Sequence, residues 1–156
     1  MLVQLKDVVK EYGSGEALFK AVDHVNFEIE EGEFVVILGQ SGAGKSTILN
    51  MLGGMDVPTS GSVIVDGCDV AKMNDKQLGK YRADKIGFIF QFYNLIPSLT
   101  SYENIALVKS IVKNARDPEE LLALVGLSGC RNKFPAQMSG GEQQRVCIAR
   151  ALAKNP

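Results

Sequence analysis

Gly39-Gln40-Ser41-Gly42-Ala43-Gly44-Lys45-Ser46 has the spacing G-x-x-x-x-G-K-[ST], and its residue types suit the grip of a polyphosphate. Glycine tolerates positive φ, so successive backbone N–H groups can turn inward around an anion. A helix opening at Lys45 would aim its positive end at the same point. Lys45 would then reach the β- and γ-phosphates of a nucleotide, and the Ser46 hydroxyl would ligate Mg²⁺. Further along, Met138-Ser139-Gly140-Gly141-Glu142-Gln143-Gln144-Arg145 puts a capped helix start behind a glycine pair, a second set of backbone donors suited to an anion. Taken alone, these residues read more readily as an ordinary helix N-cap.

Other chemistries lack their residues. His24 is the only histidine, so mechanisms with two histidines are excluded. Between Asp23 and Val25, in a strand-like stretch, it reads as a solvated side chain. Cys68, Cys130 and Cys147 are odd in number, far apart and without C-x-x-C spacing, which speaks against a disulfide framework or a zinc site. All three read as small buried thiols. Asp84-Lys85-Ile86-Gly87 spells the D-x-x-G of a small GTPase, but Asn132-Lys133-Phe134-Pro135 puts proline where the guanine-reading aspartate should stand.

The 156 residues suggest one domain, and 46% apolar with 22% charged residues describes an ordinary globular chain. Seventeen basic against eighteen acidic residues give a net charge of −1, which offers no broad surface for nucleic acid. The apolar run Phe34-Val35-Val36-Ile37-Leu38 is far shorter than the ~20 residues that span a bilayer. Met1 to Lys6 has no secretory h-region, and the chain is expected in the cytoplasm.

These residues need a scaffold. Leu2 to Val9 reads as a strand, broken by Tyr12-Gly13-Ser14-Gly15; a second strand alternates apolar and polar residues from Val25 to Glu30. Phe34 to Leu38, without alternation, predicts a strand covered on both faces. The glycine loop follows, then a helix from Lys45 to Leu52. Ser62-Val63-Ile64-Val65-Asp66-Gly67 reads as a short strand closed by a turn, Asp75 to Lys85 as a helix, and Ile86 to Phe90 again as a strand. Thr100 and Glu103 form a capping box ahead of Ile105, Val108, Ile111 and Val112, expected on one helical face. Asp117-Pro118-Glu119-Glu120 is an N-cap with proline at N1, leading into Leu121, Leu122 and Val125. Ser139 and Glu142 make another capping box before a helix with Val146, Ala149 and Leu152.

With Gln91 lying between Lys45 and Ser139 in Phe88-Ile89-Phe90-Gln91-Phe92-Tyr93-Asn94, the sequence resembles the ATP-binding-cassette (ABC) family over its whole length. Gly39, Gln40, Ser41, Gly42, Ala43, Gly44, Lys45, Ser46 and Thr47 resemble its Walker A loop. Gln91 resembles the Q-loop glutamine, a second Mg²⁺ contact, and Ser139, Gly140, Gly141 and Glu142 resemble the signature that meets ATP bound to a second copy. Tyr12 stands where the family places the aromatic that stacks on adenine. Ile86 to Asn104 most resembles the lipoprotein-releasing and macrolide or antimicrobial-peptide export type. Glu142 replaces the usual glutamine, and a carboxylate there would weaken the hold on the trans-bound nucleotide.

The resemblance implies an α/β P-loop NTPase fold, with an ABC-type ATPase core, an antiparallel β-subdomain and a helical subdomain. Core and β-subdomain would occupy about 1–90 and 140–156, and Q-loop with helical subdomain about 91–139. It implies ATP and Mg²⁺ as cofactors and a homodimer of ATP-binding subunits, peripheral on the inner face of a cell membrane. The transmembrane permease would dock on the segment after Gln91, where Phe92, Leu95 and Ile96 suit either such a contact or an ordinary core.

The family also places an apolar strand ending in Asp-Glu, and later a histidine, after the signature helix. The sequence reaches Lys154-Asn155-Pro156 without them, so it reads as an incomplete cassette, its C-terminal part missing. Val63-Ile64-Val65-Asp66 has the strand's spelling but Gly67 for the glutamate, and the resemblance puts it in the β-subdomain. The 156-residue chain is therefore expected to bind nucleotide weakly or not at all, not to hydrolyse it, and to expose an aggregation-prone apolar edge at Phe34–Leu38. Rival readings are a soluble cassette ATPase of DNA repair or translation, for which the near-neutral charge gives no support, and a binding-only module.

Overall fold

A computed structural model describes residues 1–156 as two compact units, 1–79 and 80–156. The first unit is built on one antiparallel sheet of order β2-β1-β3-β4, formed by β1 (Val3–Tyr12), β2 (Phe19–Ile29), β3 (Ser60–Val65) and β4 (Cys68–Asp69). Alternation puts Leu5, Val22, Val63 and Val65 in the interior. Leu5 pairs with Phe27 on one side and Val63 on the other. Register shifts after Leu5 twist β1, and Asp7 and His24 both take positive φ there. His24 is exposed, as expected, and pairs through Nδ1 with Asp7 Oδ1 at 2.7 Å.

Asp66 and Gly67, at φ 48° and 73°, are the two-residue turn between β3 and β4, closed by the Val65–Cys68 pair. Asp66 is a hairpin residue, as its sequence neighbour Gly67 suggests. α1 (Lys45–Leu52) buries Ile48 and Met51 and packs against β2 and β3. α2 (Asp75–Lys85) crosses from the first unit into the second.

The second unit is helical: α3 (Ser101–Ala106), α4 (Pro118–Leu124) and α5 (Gly140–Leu152). Its core gathers Ile105, Val108, Leu121, Leu122, Leu127, Val146 and Ala149. The three caps read from the sequence are formed. Thr100 and Ser139 each close a capping box, and Asp117 accepts from the N–H groups of Glu119 and Glu120.

Several expectations fail. Phe34–Leu38 and Ile86–Phe90 form no strand, because neither has a ladder partner among the described residues. Phe34 is 93% exposed and Leu38 86%. An apolar run states that a segment wants cover; it cannot supply the neighbouring strand whose hydrogen bonds would hold it extended. α3 ends at Ala106 and tightens into a 3₁₀ turn through Ser110, which rotates Ile111 out to solvent while Val108 stays buried. Cys130 and Cys147 are buried as expected, but Cys68, on the two-residue strand β4, is exposed.

Candidate nucleotide site

The phosphate loop is held by one close approach. Gly44 is the N-cap of α1 at φ 81°, and a Cβ there would lie 2.2 Å from the carbonyl oxygen of Ala21 on β2. Only glycine satisfies both the left-handed backbone and the contact. Gly42 is also left-handed, at φ 83°, with open space around it. No side chain caps α1, so the N–H groups of its first turn remain for an outside acceptor. The Lys45 ammonium donates to the carbonyls of Gly39 at 2.9 Å and Gln40 at 2.6 Å. Of its three protons, two are thus spent closing the loop, which centres the charge and leaves the third for an anion. Ser46 is exposed and Thr47 half-buried behind it.

The loop opens on a cavity of about 240 Å³ lined by Gly42 to Thr47 together with Tyr12, Phe19 and Ala21. Tyr12 is anchored rather than loose. Its hydroxyl donates to Asp56 Oδ2 at 2.6 Å, while Lys10 donates to Asp56 Oδ1 at 2.5 Å and stands 4.9 Å from the Tyr12 ring centre. The bond to the Asp56 carboxylate, helped by burial, pushes the Tyr12 phenol above its ordinary range. Burial pushes the Asp56 carboxyl up, but the bonds from Lys10, Tyr12 and the Val57 N–H outweigh it and leave it below the ordinary range. Phe19, which faces Tyr12 across the β1–β2 ladder, was not singled out in the sequence. Its only signal was an aromatic beyond the glycine turn, and the register that brings it opposite Tyr12 follows several irregularities.

In the second unit the signature residues open α5. Glu142 Oε2 accepts from the Ser139 N–H at 2.7 Å and from the Ser139 hydroxyl at 3.0 Å. Its other oxygen accepts from Lys133 Nζ and Cys130 Sγ, each at 3.3 Å. The Ser139 N–H, followed by Cys130, the Ser139 hydroxyl and Lys133, holds the Glu142 carboxyl at about 2, well below its ordinary 4.5. Gln143 turns back to the carbonyls of Pro135 and Met138.

Gln91 is exposed and precedes a strained turn, Tyr93 and Asn94 at φ 57° and 50°. Arg150 on α5 pins that turn, donating to the carbonyls of Asn94 at 2.7 Å and Tyr93 at 2.9 Å; Cys147 Sγ also donates to Tyr93 O at 2.9 Å. The apolar residues after Gln91 divide. Leu95 packs against the helical core, whereas Phe92 is 81% exposed and Ile96 41%. Buried Asn104 fixes this segment through the Ile96 N–H and the carbonyls of Ile96, Leu99 and Thr100. Tyr12 and the phosphate loop thus meet at one cavity in the first unit, while Gln91 and the signature residues belong to the second.

Residues 22–156 match the family model described as ABC transporter. The chain is 48% identical to an uncharacterized ABC transporter ATP-binding protein of Thermotoga maritima, covering 99% of this chain and 68% of that one. It is 44% identical to an uncharacterized ABC transporter ATP-binding protein of Mycobacterium tuberculosis, covering 99% of this chain and 64% of the relative. It therefore spans about two thirds of the length of such relatives. Among solved structures, the ATP-binding cassette MJ0796, in a dimeric post-hydrolysis state bound to ADP and Pi, superposes with a TM-score of 0.91 at 46% identity, covering 99% of this chain and 71% of that one. MJ0796 is a protein of Methanocaldococcus jannaschii. The fold expected from the sequence is that of these cassettes. No helix is long and apolar enough to cross a membrane.

Proposed function

The chain belongs to the ABC transporter family, and we propose that it is the nucleotide-gripping part of a transporter's ATP-binding subunit. The observation that carries this is the Gly44–Lys45 cradle, closed by Ala21 and two carbonyl contacts and opening on a cavity flanked by Tyr12. The first-turn N–H groups of α1 and the Lys45 ammonium bind the β- and γ-phosphates. Tyr12, fixed by Asp56, offers its ring to the adenine, and Phe19 borders the same space. Ser46 would hold Mg²⁺, which when bound would supply charge neutralisation for the phosphates, and Gln91 is the Q-loop glutamine that the sequence resemblance assigns to the same ion. Domain-wise, about 1–90 with 140–156 serves as core and β-subdomain, and about 91–139 as the Q-loop and helical subdomain.

In the full-length gene product two copies pair as a homodimer, each ATP lying between one copy's Gly39–Thr47 and the other's Ser139–Glu142. The dimeric, nucleotide-bound state of MJ0796 supports this arrangement. Closure moves a membrane permease docked on the exposed Phe92 and its neighbours, so the subunit sits on the cytoplasmic face of the membrane. The stretch Ile86 to Asn104 supports an exporter of the lipoprotein-releasing or macrolide type. The 156 residues contain no apolar strand ending in Asp-Glu after α5, and by themselves bind nucleotide weakly and do not hydrolyse it.

A turnover assay of the purified 156-residue chain beside the full-length product tests the proposal. Turnover by the full-length product that Lys45→Ala abolishes, with none by the shorter chain, is expected. Lys45-dependent hydrolysis by the 156 residues would overturn the second part.

A further inference from the structure

A carboxylate in the first turn of α5 suits the helix dipole but repels a polyphosphate arriving at the same N-terminus. The structure shows how this conflict is resolved. Both oxygens of Glu142 are engaged, one by Ser139 and the other by Lys133 and Cys130. Lys133 is the cation in that set, and it is not a loose surface lysine. Its N–H donates to Cys130 O at 3.0 Å, and its carbonyl accepts from the N–H of buried Ser101 at 2.9 Å and from the Ser101 hydroxyl at 3.1 Å. The first turn of α3 therefore fixes the backbone from which the ammonium reaches Glu142.

We propose that Lys133 is a positioning residue of the signature: by pairing with Glu142 it cancels the carboxylate's charge and holds it over Ser139, leaving the Gly140 and Gly141 N–H groups open to the phosphates of a nucleotide on the second copy. This rests on the function proposed above and deepens it. A glutamine at 142 would complete the same cap without charge, so the need for Lys133 exists only while residue 142 is acidic. Charge compensation also differs from scaffolding in its salt dependence, since a partly exposed pair is screened within about 8 Å at physiological ionic strength.

The test is a double-mutant cycle of Lys133→Met and Glu142→Gln in the full-length gene product, reading the concentration of a non-hydrolysable ATP analogue that half-saturates dimer formation by light scattering. Lys133→Met is expected to raise that concentration about five- to tenfold with Glu142 present, and by less than about twofold in the Glu142→Gln background. The Lys133→Met penalty shrinks in high salt, and Lys133→Arg behaves as wild type. An equal penalty in both backgrounds, or none with Glu142 present, overturns the proposal. So does loss of cooperative melting in Lys133→Met that Glu142→Gln fails to restore, which would make the lysine a scaffold. If the full-length product takes up neither ATP nor the analogue, the parent function falls and this role with it, an outcome distinct from nucleotide uptake and dimerisation that are indifferent to Lys133.

Discussion

Gly44 lies so close to the carbonyl of Ala21 that a Cβ added to it would come within 2.2 Å of that oxygen. This contact ties the phosphate loop to β2. Gly44→Ala is expected to destabilise the chain by about 2–4 kcal/mol, combining left-handed strain with a backbone clash. Gly42→Ala, in open space, costs only the strain of about 1–2 kcal/mol. Urea unfolding of the two variants checks the difference; equal costs would mean that the Ala21 contact does not constrain the loop.

Tyr12 tests the base-binding side of the cavity. Removing the ring by Tyr12→Ala is expected to weaken ATP binding by the full-length product about tenfold, the lower part of the ~1–3 kcal/mol that base stacking contributes. Tyr12→Phe keeps the ring and loses only the bond to Asp56, so its affinity should stay within about threefold. Titration with a fluorescent ATP analogue separates them. Equal loss in both would assign the effect to the hydroxyl.

Asn104 is a buried polar hub holding both ends of the loop from Ile96 to Thr100. Asn104→Leu leaves the Ile96 N–H and several carbonyls without their partner and should cost about 2–4 kcal/mol by thermal unfolding. Asn104→Asp keeps the acceptor for Ile96 N–H but turns a carboxylate oxygen toward those carbonyls, and is expected to be no better tolerated.

The Glu142 cap carries a pH signature. Its carboxyl falls from an ordinary 4.5 to about 2 in the folded chain, so the folded state favours the ionised form. The stabilisation is fully present above pH 4.5 and is lost as pH falls through that value toward 2. Glu142→Gln should flatten that part of the acid limb in melts recorded across the window. An unchanged acid limb would show that the carboxylate does not hold these bonds in solution.

Features set by neighbours in sequence were legible. α1 starts at Lys45 and ends at Leu52 as read, and the caps at Thr100, Asp117 and Ser139 form because each side chain bonds to an N–H only a few positions ahead. Features that need a distant partner were not. Phe34–Leu38 is exposed, as the missing neighbour strand predicts, but it is not a strand at all, since the ladder belongs to whichever strands flank it. Phe19 reaches the cavity through a cross-strand register altered by bulges in β1. Lys133 was noticed only as part of a failed guanine motif, because nothing local announces that its ammonium meets Glu142. The carboxylate's expected penalty on nucleotide binding was drawn from its charge alone, whereas the structure pairs that charge.

Calorimetric titration of the full-length gene product with ATP and Mg²⁺, beside Lys45→Ala, addresses the phosphate cradle most directly. Saturable ATP uptake by the wild type that falls at least about tenfold in Lys45→Ala is the expected result. A folded wild-type protein that takes up no ATP at millimolar nucleotide, or binds it equally well without the Lys45 ammonium, would contradict the account.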